Sequence, residues 1–70
     1  MYSNNQNKEL KDALDIISNL VSQDCVNPQD GKIESLAIGA YCDAIKFLVK
    51  YNRVRVIKEY GRVIEAEWIK

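Results

Sequence analysis

The order of apolar and polar positions divides the chain into four segments. Leu10, Ala13, Leu14, Ile17, Leu20 and Val21 recur at spacings of three and four, which predicts a helix over residues 6–23 with one buried stripe. Lys8, Lys11, Asp12, Asp15, Asn19 and Ser22 fall outside that stripe, and Ile16 points away from it. Asn5, Gln6 or Asn7 can cap the helix start, with Glu9 favourable in the first turn. Residues 1–5 then read as a polar, disordered tail. Val26-Asn27-Pro28-Gln29-Asp30-Gly31 is a cluster of helix breakers. Beyond it, residues 34–50 read as a second helix that is apolar on two sides. One stripe holds Leu36, Ala40, Ala44, Phe47 and Leu48, and the other Ile38, Cys42, Ile45 and Val49. Ser35, Gly39, Asp43, Lys46 and Lys50 leave only a narrow polar strip.

Residues 53–69 read as a β-hairpin. Val54-Arg55-Val56-Ile57 and Val63-Ile64-Glu65-Ala66-Glu67-Trp68-Ile69 are strand-like and flank Glu59-Tyr60-Gly61. A three-residue loop ending in a left-handed glycine pairs Val56 with Ile64, Arg55 with Glu65, Val54 with Ala66 and Arg53 with Glu67. That register gathers Val54, Val56, Ile64, Ala66 and Trp68 on one face, and a slip by one residue would exchange the faces. The expected fold class is therefore α+β: one domain over residues 6–70, with two helices packed on a C-terminal antiparallel hairpin in the order ααββ.

Composition narrows the function classes. Seventy residues form a marginal core, and chains of this size lean on disulfides, a metal or a second subunit. Two cysteines, Cys25 and Cys42, and no histidine leave too few ligands for a structural zinc site within one chain. The missing histidine also removes the commonest general acid–base and the usual activator of Ser or Cys nucleophiles. Gly31, Gly39 and Gly61 stand alone, so there is no phosphate-cradling loop. The expectation is a protein that is not an enzyme and holds no metal or cofactor. The polar N-terminus lacks a secretory leader, and no apolar run reaches membrane-spanning length. This predicts a cytoplasmic protein with reduced cysteines and no membrane association.

The width of the apolar arc on the second helix then becomes the leading functional signal. It exceeds what one hairpin and one narrow helix seal, which predicts a two-fold homodimer with that helix near the axis. The self-association residues would be Ile38, Tyr41, Cys42, Ile45 and Val49. Charge adds a second signal: residues 1–45 carry three basic and seven acidic side chains, and residues 46–70 seven basic and three acidic. Lys46, Lys50, Lys58, Tyr60 and Arg62 are the candidate contacts for a partner protein or nucleic acid.

Ala44-Ile45-Lys46-Phe47-Leu48-Val49-Lys50-Tyr51-Asn52-Arg53-Val54, followed by Glu59-Tyr60-Gly61-Arg62-Val63-Ile64, resembles the C-terminal half of a winged-helix DNA-binding domain. The resemblance implies a recognition helix in the major groove and wing contacts to phosphates by Lys58 and Arg62. The chain departs from that pattern between Cys25 and Ser35, where no positioning helix fits. Two expectations follow. The first is a small non-enzymatic interaction or regulatory protein that binds another macromolecule, a protein, as a homodimer. The rival is a winged-helix-like nucleic-acid-binding module.

Overall fold

The computed structural model describes the backbone of residues 2–70 and the side chains from Asn7 onward. Helix α1 spans Tyr2–Asp24, strand β1 Ile33–Leu36, helix α2 Ala40–Lys50, strand β2 Val54–Tyr60 and strand β3 Val63–Trp68. The strands form one antiparallel sheet in the order β1-β3-β2. The α+β class and the C-terminal hairpin stand, and the order ααββ becomes αβαββ.

Leu14 and Val21 of the expected stripe are buried on α1, with Leu10 and Ile17 packed beside them. The helix begins upstream of Gln6, so Tyr2–Asn5 are helical rather than a tail, and Asn5, Gln6 and Asn7 lie inside the helix rather than capping it. Met1 lies outside the described residues. The helix stops where the breaker cluster takes over. Asn27 Oδ1 accepts a hydrogen bond from Gln29 N–H at 2.9 Å, and Asp30 Oδ1 accepts one from Lys32 N–H at 2.9 Å. Gly31 takes φ +71°, a left-handed conformation that only glycine adopts cheaply. These local bonds reverse the chain, and Val26 then bridges Ile33 while Glu34 N–H reaches Cys25 O at 2.8 Å.

That reversal explains the strand that the sequence pattern concealed. Chain leaving Lys32 runs extended along β3, with Ile33 opposite Ala66 and Leu36 opposite Val63. Ile33 and Ser35 turn inward while Glu34 and Leu36 turn outward, the alternation of a half-buried strand. Four residues are too few for the period to show against a helical reading. Gly39, at φ +100°, then separates β1 from α2. The helix expected over residues 34–50 is therefore 11 residues long, and Leu36 and Ile38 lie outside it.

The expected hairpin register is also corrected. The loop is Gly61-Arg62, and Tyr60 pairs with Val63, Glu59 with Ile64, Lys58 with Glu65, Val56 with Ala66, Arg55 with Glu67 and Val54 with Trp68. Gly61 has φ +59°, and Arg62 is not in the left-handed region. That order suits a two-residue loop whose twist matches the strands. Arg62 O also accepts a hydrogen bond from Ala37 N–H at 2.7 Å, fixing the tip against the end of β1. A two-residue loop alone would mix the faces, and a bulge between Val56 and Lys58 prevents this. Beyond the bulge the register lies two residues from the expected one, so Val54, Val56, Ile64, Ala66 and Trp68 still share a face. Arg55 thus pairs with Glu67 rather than Glu65, and Arg53 reaches Asp15 of α1 at 3.2 Å rather than Glu67.

Both helices pack on that face. Leu14 and Val21 of α1, Ile45 and Leu48 of α2, and Ile33, Val54, Ile64 and Ala66 of the sheet form one core. Tyr41 at the start of α2 meets Asp24 at the end of α1, while Arg53 beyond α2 meets Asp15, so the helices run antiparallel. Among the described residues, no helix is long and apolar enough to cross a membrane.

Candidate interaction surface

Among the described residues the other face of the sheet carries no helix, and its side chains follow from the register. Leu36, Val63 and Tyr60 form one row across β1, β3 and β2, and Glu34, Glu65 and Lys58 form the next. Glu67 and Arg55 continue the face and are ion-paired. An antiparallel sheet with one solvated face ordinarily shows polar residues there. Here Leu36 is 61% exposed and Tyr60 41%. Ile38, 77% exposed, lies just past the row and lines an open depression of about 400 Å³ with Ala37, Gly61 and Arg62. The Ala37–Arg62 backbone bond holds the two sides of this depression together.

Charge flanks the apolar row. Glu34 and Glu65 stand directly opposite each other on neighbouring strands. The ion pairs among the described residues are Arg53–Asp15 and Arg55–Glu67, so neither carboxylate has a described cation within ion-pair distance. Lys58 is in register with Glu65, yet its Nζ lies over the Tyr60 ring, 5.0 Å from the centroid. The Tyr60 hydroxyl titrates above its ordinary value of 10.0, first because part of its hydration is lost and then because Glu34 and Glu65 disfavour the phenolate.

The expected self-association set is divided by the fold. Cys42 is 2% exposed and Ile45 fully buried, both inside the protomer, and Val49 is half-buried. Tyr41 reaches solvent at the start of α2 and donates a hydrogen bond to the Asp24 carboxylate. Ile38 is exposed, but on the loop beside the hairpin tip. The five residues therefore do not share one exposed helix face. The physical reason is that α2 starts only at Ala40, which leaves Ile38 in the loop, and that Ile33 of β1 joins Ile45 in the core.

The expected contact set is divided as well. Lys58, Tyr60 and Arg62 come together at the hairpin end, whereas Lys46 and Lys50 lie on the outward side of α2, with Lys50 Nζ 5.6 Å from the Tyr51 ring. Leu36 and Val63 join the site without having been singled out from the sequence. The sequence carried little signal for Leu36, since Ile33-Glu34-Ser35-Leu36 reads apolar, polar, polar, apolar and only Gly39 after it marks a break.

Chemically the surface offers apolar contact, a tyrosine face and unpaired carboxylates. Among the described residues no group of three or more Cys, Asp or Glu side chains converges as a metal site. The Cys25 thiol is pushed above its ordinary value by burial and then by Asp24, which favours the unreactive thiol over the thiolate. Comparison with protein-family models, with curated proteins and with solved structures found no match.

Proposed function

We propose that the chain is a small non-enzymatic interaction module that binds another protein through the outer sheet face at the hairpin end. One observation carries this reading: Leu36, Ile38 and Tyr60 are exposed together on the side of the sheet that no helix covers. A grouped apolar surface of this kind is unfavourable in water and marks contact sites, and tyrosine and arginine, present as Tyr60 and Arg62, are common anchors in them. Cys42 and Ile45 serve the protomer's own interior, so a homodimer would use this outer face rather than α2.

The test is capture of partners from the native host by the wild-type chain and by the Leu36→Asp/Ile38→Asp double variant. Loss of the partners with an unchanged fold supports the reading, and retention of the same partners refutes it. Light scattering on both proteins reads whether a second copy is the partner.

A second reading, nucleic-acid binding, rests on Lys46, Lys50, Lys58 and Arg62, which are exposed and have no acidic partner within ion-pair distance among the described residues. Phosphate contacts give affinity that falls steeply with salt. Duplex binding that weakens with salt, with a shallower slope in Lys58→Ala and Arg62→Ala, supports this reading. No duplex binding at low salt removes it.

A further inference from the structure

Resting on the reading of this face as a protein-docking surface, we infer that its partner segment is basic as well as apolar. An apolar side chain lies against Leu36, Val63 and Tyr60, and a lysine or arginine lies between the carboxylates of Glu34 and Glu65. The two glutamates are the reason. Like charges directly opposite on neighbouring strands oppose the sheet, and this pair adjoins the exposed apolar row. Lys58, the cation in register with Glu65, covers the Tyr60 ring instead. A cation from outside would remove the repulsion and form charge-assisted hydrogen bonds that the free protein does not make.

Two other occupants fit less well. A nucleic acid would bring phosphates against Glu34 and Glu65. A second copy of this chain could offer the exposed Ile16 and Leu20 of α1, whose neighbours Asp12, Asn19, Gln23 and Asp24 include no cation, or Ile57 beside Lys58, which is already held over the Tyr60 ring, or Ile69 beside Lys70, and the dimer outcome below decides that case. Sites that keep an unfavourable local arrangement and are relieved by a partner show a characteristic trade-off. Here Glu34→Gln and Glu65→Gln should leave the free protein at least as stable as the wild type while weakening capture.

The experiment is selection of a random peptide library against the immobilised full chain. Enriched peptides are then titrated on the wild type, Glu34→Gln, Glu65→Gln, Glu34→Lys and Leu36→Asp, with thermal unfolding of each variant as a fold control. The expected result is peptides with Lys or Arg close to Leu, Ile or Phe. Their affinity should fall about tenfold in Glu34→Lys, less in the Gln variants, and at least as much in Leu36→Asp. Enriched peptides that are neutral or acidic, lose binding in Leu36→Asp and keep it in the glutamate variants would overturn the basic partner while leaving the docking face intact. Binding insensitive to Leu36→Asp, or no enriched peptide, would overturn the docking reading and this inference with it. A dimer in solution that buries Leu36 and Tyr60 would assign the face to a second copy and also overturn the basic partner. If Glu34→Lys fails to fold, the two Gln variants decide the same question.

Discussion

Helix α2 and the hairpin end both present dense apolar residues in the sequence, and the fold treats them in opposite ways. On α2, Cys42, Ile45 and Leu48 are buried, and Ile45 and Leu48 share one core with α1 and the sheet. At the hairpin end, Leu36, Ile38 and Tyr60 stay in solvent. Hydrophobicity along the chain therefore does not say which residues are surplus. That depends on the available cover, and β1 decides it. By pairing on the far side of β3, β1 widens the sheet under the helices. Its outward residue Leu36 and the following Ile38 become the exposed surface.

Substitutions can break this comparison, and the largest effect should come from the sealed region. Ile45→Ala removes a fully buried side chain and should cost about 2–5 kcal/mol by denaturant unfolding. Leu36→Ala, at an exposed position, should change stability by about 0.5 kcal/mol or less. Equal losses at the two sites would mean that the outer face is part of the core.

Gly61→Ala comes next. Nothing lies within 4 Å of the added methyl group, but the positive φ strains any L side chain. A loss of about 1–2 kcal/mol is expected. No loss would show that the Gly61-Arg62 turn is not the one formed. Arg53→Ala, which releases the tie between Asp15 and the start of β2, should cost less than about 1 kcal/mol, because both side chains are partly solvated. A double-mutant cycle with Asp15→Ala isolates that coupling.

The smallest effect is a titration. Folding raises the Tyr60 pKa, so its contribution to stability is fully present below the ordinary tyrosine value and is lost as pH rises through the higher folded value. Ultraviolet difference titration against Tyr60→Phe should show one tyrosine ionising late. Glu34→Gln should bring that ionisation to lower pH. An unmoved curve would place Glu34 away from the hydroxyl and weaken the geometry proposed for the partner's cation.

Regular spacing made part of this legible in advance. The stripe from Leu10 to Val21 and the facing set Val54, Val56, Ile64, Ala66 and Trp68 follow from periods of 3.6 and 2, and the breaker cluster after Cys25 follows from its Asn, Pro, Asp and Gly. Strand β1 did not, because Ile33–Leu36 is a strand through pairing with β3 rather than through its own pattern. The candidate site shows the same limit. Tyr60 and Arg62 stood out as anchors near a turn, but their neighbours Leu36 and Ile38 lie far away in the sequence.

The sequence by itself determined the α+β class, the core stripe of α1, the apolar inner face of the hairpin and the left-handed glycine at its tip. Each depends on side chains and backbone within one element, whose steric and hydrophobic preferences act locally. Only the tertiary structure decided the third strand, the bulged register, the burial of Cys42 and Ile45, and the exposure of Leu36 and Ile38. These depend on which distant segments share backbone hydrogen bonds, and on whether the area covering an apolar residue comes from its own chain or is left to water.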